Sequence, residues 1–182
     1  MHNKLPSDDN LVSRGCQLPS MCSICNTNAE TLDHLFIHCS FAQSIWHWLI
    51  SLMNITCSIT SVSDALDLCK RNWSPKCKLV ILVAVVNCLN TIWFCRNQIR
   101  FNDKKILLRL AINLIITNIA LCGNSSKLAA NSSISEFVIL KAFSVQISLG
   151  NAPKIKEVIW QPPIFNWVKC NIDGASIGNP GP

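Results

Sequence analysis

The chain has 182 residues, of which 49% are hydrophobic and 14% charged, and its formal net charge is +6. This composition is too apolar for a disordered chain, and the length suffices for one domain or slightly more. Residues 1–20 are polar where a secretory signal would be apolar, so we expect an intracellular protein, nuclear or cytoplasmic, whose eleven cysteines are free thiols or metal ligands.

The first third of the chain predicts a loop followed by helices. We expect residues 1–20 to form an extended lead-in and residues 21–39 a metal-binding loop. Ser40 and Gln43 have the spacing of a capping box, and the apolar residues after them recur at helical spacing. A Ser- and Thr-rich loop and a short helix over residues 63–70 follow.

The remainder predicts three further helices and a strand. Ser74 and Pro75 are a helix start signal, and the helix should run to about Phe101. A second helix is predicted over 106–121. A third should start at a capping box formed by Ser133 and Glu136 and end at Gly150. Residues 168–173 then have a strand-like pattern.

The loop contains four residues in the pattern C-x2-C-x8-H-x4-C, namely Cys22, Cys25, His34 and Cys39. Three thiolates and one imidazole are the ligand set of a closed, tetrahedral, structural zinc site, which leaves no position for a catalytic water. The alternative is that the cysteines are small buried side chains without a metal. His38 is a rival to His34 as the fourth ligand, although its adjacency to Cys39 makes it harder to fit on the same ion.

Lysines and arginines cluster between Lys70 and Arg109, where Asp103 is the one acidic residue. Because lysine and arginine bind phosphates, this basic band is a better candidate for nucleic acid contact than the metal loop, which contains no lysine or arginine. Such a band is more often a solvated helix face. The candidate contact residues are Arg96, Asn97, Arg100, Lys104 and Lys105.

Residues 79–95 carry no charge and approach the roughly 20 apolar residues that a membrane span requires. Asn87, Asn90 and Thr91 interrupt the run, so we expect a buried helix and no membrane contact. The alternative is a small helical membrane protein that uses residues 79–95 and 106–121.

The metal loop and its flanks resemble the zinc-binding region that follows the polymerase domain in plant LINE-type (non-LTR) retroelement reverse transcriptases. The resemblance implies that Cys22, Cys25, His34 and Cys39 are the ligands. The family's upstream tryptophan-containing segments have no counterpart here, so we expect an N-terminally shortened copy. The residues that carry the resemblance are 4–11, Arg14, Gly15, Glu30, Thr31, His34, Leu35, Phe36, Cys39 and Trp46.

Two further segments are similar to parts of the same retroelement proteins. Residues 92–101 resemble the Trp-x-x-Arg-Asn segment that joins the zinc region to a ribonuclease H domain. Residues 169–182 resemble the opening strand and turn of the plant-type ribonuclease H domain, which implies that Asp173 is the first of several carboxylates that hold two magnesium ions. Without the family, a turn aspartate beside Gly174 would be the simpler interpretation.

The other carboxylates of that family would lie beyond Pro182, and one carboxylate cannot hold two magnesium ions. We therefore expect no nuclease activity from the chain as given. If the true product continues past Pro182, the alternative is part of an RNA–DNA hybrid ribonuclease that uses magnesium.

Together these patterns predict a mainly α fold with four parts. They are a zinc-stapled Cys3His module over 1–52, a helical connector over 53–150, a proline-containing linker over 151–166, and an orphan strand of a truncated ribonuclease H-like domain over 167–182. The expected function is that of a retroelement-derived fragment with structural zinc and weak binding to RNA or RNA–DNA hybrid, without a small-molecule substrate.

Overall fold

A computed structural model describes residues 5–17, 20–149 and 165–168, and these residues are mainly helical. A π-helical turn, His34–His38, precedes the second helix, and a 3-10 turn, Leu68–Lys70, extends the third. No strand forms within the described ranges, where Ala130 and Leu149 make an isolated bridge. The described residues form six α-helices: α1 (Asp8–Ser13), α2 (Ser40–Met53), α3 (Val62–Asp67), α4 (Pro75–Asn102), α5 (Leu108–Ser125) and α6 (Ile134–Ala142).

The chain divides into two compact units, Met1–Gly150 and Asn151–Pro182. All six helices belong to the first unit. In the second unit, the structure describes a turn at residues 165–168, where Phe165 and Trp167 are exposed. Residues 169–173 of the predicted strand lie outside the described residues, so that strand stays a prediction.

Helix α4 is the central element of the first unit, and the predicted start and end of this helix are confirmed. The Ser74 hydroxyl accepts the Cys77 N–H at 3.2 Å, and Pro75 occupies the first turn, where its missing N–H costs nothing. Asp103, with φ +51°, ends the helix. The buried face of α4 contacts α2, α3, α5 and α6.

Two buried polar side chains join the helices of this unit. Glu136 of α6 accepts the Ser74 N–H at 2.7 Å and also the Ser74 hydroxyl. Lys76, 1% exposed, donates from Nζ to the carbonyls of Gly123 (2.6 Å) and Ser126 (2.7 Å) at the end of α5. Because an unpaired buried polar group is costly, these contacts fix where α5 and α6 lie against α4.

The structure corrects the prediction for α6. Ser133 is its N-cap residue but makes no side-chain capping hydrogen bond, and its hydroxyl lies 2.8 Å from that of Ser135. The Glu136 carboxylate that would complete the box accepts from Ser74 instead. The helix ends at Ala142 rather than Gly150, and Ser144 follows in the left-handed region with φ +56°.

The first two helices also differ from expectation. The predicted extended lead-in contains α1, which starts after Ser7 and carries Asp8 and Asp9 in its first turn, where the helix dipole favours acidic residues. Helix α2 begins at Ser40 as predicted, but Cys39 is its N-cap, so the capping box at Ser40 is wrong. A capping box does form one helix later, between Ser61 and Asp64 of α3.

Helices α4 and α5 are long and apolar enough to cross a membrane by length and composition alone. The core helix of a soluble protein can have the same length and composition. In the most apolar 18-residue window, 44% of α4 is buried but only 22% of α5. Helix α5 also runs past its predicted end to Ser125. Within its last turn, Gly123 packs so closely against Val145 that a larger residue would clash there.

Candidate metal centre

The first two cysteines lie on a tight turn held by backbone hydrogen bonds. The Cys22 N–H donates to the Asn28 carbonyl at 2.8 Å, and the Asn26 N–H donates to the Cys22 carbonyl at 2.9 Å. Asn26 has φ +55°, a conformation that asparagine tolerates better than most residues. The turn presents the Cys22 and Cys25 sulfurs on one side.

The other two candidate ligands are brought together by the π-helical turn. The Cys39 N–H donates to the His34 carbonyl five residues earlier, at 2.6 Å, and the Thr31 hydroxyl accepts the His34 N–H at 3.0 Å. A π-helical turn is wider than an α-helical one, so residues five apart lie above one another. Sequence spacing alone did not predict this turn, which is frequent at functional sites.

The four predicted ligands converge. One ligand atom from each of Cys22, Cys25, His34 and Cys39 lies within 4.8 Å of every other. The Cys22 and Cys39 sulfurs are 3.9 Å apart, and Cys25 Sγ is 3.2 Å from His34 Nε2. With Zn–S bonds of about 2.3 Å, tetrahedral coordination separates two sulfurs by about 3.8 Å, so this donor set fits a zinc ion.

His38 is not part of this cluster. Its side chain is 53% exposed, and its Nε2 lies 3.0 Å from an Asp33 carboxylate oxygen, whereas His34 is 8% exposed. The choice between the two histidines, which the spacing left open, is therefore made by the π-helical turn.

Hydrogen bonds divide the protons unevenly among the ligands. The contact with Cys39, together with burial, raises the pKa of the Cys22 thiol to about 12. The same contact holds the pKa of the Cys39 thiol below its ordinary value, helped by the backbone amides of Phe41 and Ala42 at the start of α2. Burial opposes the charge on Cys25, but hydrogen bonds from Thr27 and His34 still lower the pKa of its thiol.

Three more buried cysteines, Cys77, Cys88 and Cys95, lie on α4. Burial raises the pKa of Cys77 to about 12 and that of Cys95 to about 11, and it raises the pKa of Cys88 as well. The pKa of Cys22 is raised to a similar extent, so geometry is what separates the α4 cysteines from the candidate ligands. Within the described residues, Cys22, Cys25, His34 and Cys39 are the one group of three or more cysteine, histidine, aspartate or glutamate side chains that could hold a metal ion.

Aromatic side chains of α2 and α4 contact the π-helical turn at Phe36. The Trp46 indole on α2 donates to the Phe36 carbonyl at 2.7 Å, and the Phe36 ring stacks on Trp93 of α4 with centroids 6.4 Å apart. Trp46 is 3% exposed, so its polar N–H needs this acceptor. The centre is thus fixed against both α2 and α4.

A buried ion cluster makes a second link between the metal loop and α4. Glu30 accepts from Arg96 Nε at 3.0 and 3.2 Å and also from an Arg96 terminal nitrogen. Asp8 of α1 lies 3.4 Å from Arg96 and pairs with Arg100. Glu30, Asp8 and Arg96 are each at most 1% exposed, and the four groups balance in charge.

The remaining predicted contact residues lie in different environments. Arg96 is buried, so it has no surface to offer to a phosphate, and the Asn97 side chain accepts from it at 3.0 Å. Arg100 is 23% exposed and paired with Asp8. Lys104 and Lys105 are exposed beside the start of α5. Asp173 lies outside the described residues.

Comparison with known proteins matches residues 1–46 to a family described as zinc-binding in reverse transcriptase. No curated protein and no solved structure matches the chain. The match covers all four candidate ligands and ends at Trp46. Together, the family match and the Cys3His cluster point to zinc as the metal.

Proposed function

We propose that the chain is a retroelement-derived fragment in which zinc has a structural role. The observation that carries the proposal is the convergence of four protein ligands, all within 4.8 Å of one another, inside the region that matches the reverse transcriptase family. Four protein ligands close a tetrahedral site, so no position remains for a substrate or a catalytic water. Zinc then joins the cysteine turn to the π-helical turn and the start of α2.

Zinc content tests the structural role. Purified, reduced protein should hold one zinc per chain by elemental analysis, and Cys25→Ser should lose it. Cys57→Ser is the matched control, because Cys57 is exposed and outside the cluster. Metal-free protein in which the loop over 20–39 stays as ordered as with zinc, or a Cys25→Ser variant that keeps its full zinc content, would rule the role out.

The proposal includes weak contact with RNA or an RNA–DNA hybrid at the α4–α5 connection. Lys104 and Lys105 are exposed there and Arg109 lies nearby in the sequence, also exposed. This support is electrostatic, so binding should be weak and should fall steeply with salt. Arg96 takes no part, because its guanidinium is buried against Glu30.

Fluorescence anisotropy with a labelled hybrid tests this contact. A Lys104→Ala/Lys105→Ala variant should bind more weakly. The negative slope of log affinity against log salt should become shallower by about 2, because two phosphate contacts are lost. Lys127→Ala/Lys141→Ala removes the same charge elsewhere on the surface and should have the smaller effect. Equal losses in both double variants would mean that net charge alone drives the binding.

A ribonuclease H role is the second candidate, and its support is the sequence resemblance around Asp173. Hydrolysis of a hybrid by the full chain in magnesium, lost in Asp173→Asn, would favour it. Absence of hydrolysis, with zinc and fold intact, would leave the structural role standing by itself.

A further inference from the structure

The four candidate ligands differ in how far solvent can reach them. Cys22 and Cys39 are completely buried, and His34 is 8% exposed. Cys25 is only half-buried, and the residues that follow it in the turn, 26–29, are all exposed. The Thr27 hydroxyl donates to the Cys25 sulfur at 3.1 Å in a contact that lies at the surface. The centre therefore has one sulfur that a small molecule in solution can approach.

Zinc coordination makes this accessible sulfur reactive. A thiol bound to a metal ion is deprotonated outright, and the thiolate is the form of cysteine that attacks electrophiles. Oxidation of a cysteine follows its thiolate character and its exposure together. Of the three cysteine ligands, Cys25 alone combines the two properties, because Cys22 and Cys39 belong to the apolar core. This inference rests on the structural zinc role.

Cys22 is the residue placed to complete an oxidation that starts at Cys25. Both lie on one turn, and the backbone hydrogen bonds of that turn, from Cys22 to Asn28 and from Asn26 to Cys22, are independent of a metal. The Cys39 sulfur is also close to Cys22, at 3.9 Å, but Cys39 lies on the π-helical turn, a separate segment that the metal joins to the cysteine turn. Once coordination weakens, Cys22 stays beside Cys25, whereas Cys39 is free to move away.

We propose that Cys25 is an oxidation site at which hydrogen peroxide opens the metal centre. The Cys25 thiolate attacks one peroxide oxygen, the O–O bond breaks, and the departing hydroxide takes a proton from solvent, so Cys25 becomes a sulfenic acid. The Cys22 thiolate then attacks the Cys25 sulfur, the S–OH bond breaks, and the second hydroxide is protonated to water.

The outcome of this reaction is a Cys22–Cys25 disulfide and a released metal ion. The two sulfurs together give two electrons to one molecule of hydrogen peroxide, which becomes two molecules of water. His34 and Cys39 are then the remaining ligands, and two donors are too few for a closed tetrahedral site. A thiol reductant and fresh zinc should reverse the change, because disulfides are reduced by thiol exchange.

Zinc-loaded wild type, freed of reductant and treated with a small molar excess of hydrogen peroxide, tests the proposal. A chromogenic chelator follows zinc, dimedone traps sulfenic acid, and peptide mass spectrometry locates the modified sulfurs. We expect the first dimedone adduct among the ligands at Cys25, then one zinc released per Cys22–Cys25 disulfide. A first adduct at Cys22 or Cys39, or a disulfide that includes Cys39, would overturn the proposal.

Two histidine substitutions form a matched pair for the same assay. Cys25→His and Cys39→His each leave two cysteines and two histidines, which is also a zinc-binding ligand set. Cys25→His removes the accessible thiolate and should slow release by about 10-fold or more, whereas Cys39→His keeps both reacting sulfurs and should stay within about 3-fold of wild type. Release from Cys25→His at the wild-type rate would contradict the proposal. The sulfur map of wild type decides the matter if a variant does not load with zinc.

The assay also separates this inference from the zinc role on which it rests. Protein that never holds zinc overturns both. Protein that holds one zinc per chain and keeps it in peroxide overturns the oxidation site alone and leaves the structural role standing.

Discussion

At the residue scale, His34 and His38 show how local backbone decides which side chain can bind a metal. Both lie in the same π-helical turn, four residues apart. His34 lies next to the Cys25 sulfur, while His38 pairs with Asp33 at the surface. The same residue type is therefore a candidate ligand in one position and a solvated surface group in the other.

Replacement of each histidine separates these roles. We expect His34→Ala to lower zinc affinity by more than about 100-fold, because loss of even an outer-sphere partner costs about 10–100-fold. His38→Ala removes an exposed contact with Asp33 and should change zinc affinity little. Competition with a chromogenic chelator measures both. A larger loss of zinc affinity in His38→Ala than in His34→Ala would mean that His38 is the ligand.

Protonation of Cys22 gives the centre a pH dependence. Without metal, its pKa of about 12 keeps Cys22 a thiol at neutral pH, and zinc can bind only the thiolate. Binding should therefore release at least one proton per zinc near pH 7, and affinity should rise with pH and fall in acid. Calorimetry in buffers of different ionisation enthalpy counts the protons. Binding without proton release would contradict the assignment of Cys22 as a ligand.

At the scale of elements, the Glu30–Arg96 pair joins two segments that are far apart in the sequence. Glu30 lies in the metal loop and Arg96 on α4, with the Arg96 guanidinium also 4.9 Å from the Trp93 ring centroid. A buried ion pair contributes little net stability, but removal of one partner leaves an uncompensated buried charge. The pair therefore fixes the position of the loop against α4 more than it stabilises the fold.

A double-mutant cycle tests that role. Glu30→Leu and Arg96→Met should each lower the free energy of unfolding by about 3–5 kcal/mol, because each leaves a charge buried. The double variant should lose less than either single variant, since Asp8 keeps Arg100 as its partner. Urea unfolding of zinc-loaded protein gives the values. Additive losses would mean that the two side chains act separately.

Sequence reasoning predicted the elements whose signals are local. Ser74 and Pro75 start α4 as expected, because the cap and the proline act within one turn. It failed where a distant group competes. The Glu136 carboxylate accepts a hydrogen bond from Ser74, 62 residues away, and does not cap its own helix. In the metal centre, the ligand spacing predicted the four residues, but only the structure shows the π-helical turn that selects His34.

At the scale of the whole helical unit, one apolar core is shared by the π-helical turn and helices α2 to α6. Cys22 and Leu35 at the metal end belong to the same buried cluster as Ile81 of α4 and Phe143 after α6. The polar anchors, however, are separate. Lys76 and Glu136 fix α5 and α6 to α4 without any residue of the metal loop.

This division predicts what zinc removal does. Chelation should release the loop over 20–39, because the cysteine turn and the π-helical turn are short and are joined at the metal. Helices α4, α5 and α6 should persist, since their anchors and most of their buried apolar contacts do not include the ligands. Hydrogen exchange should therefore rise in residues 20–39 and in α1, which is tied to the loop through Asp8 and Arg96, while the α4 amides from Val80 to Ile92 stay protected.

Readdition of zinc should restore protection in the loop and serves as the control. If α4 loses its protection together with the loop, the metal supports the entire helical unit as one cooperative structure, as it does in isolated zinc fingers.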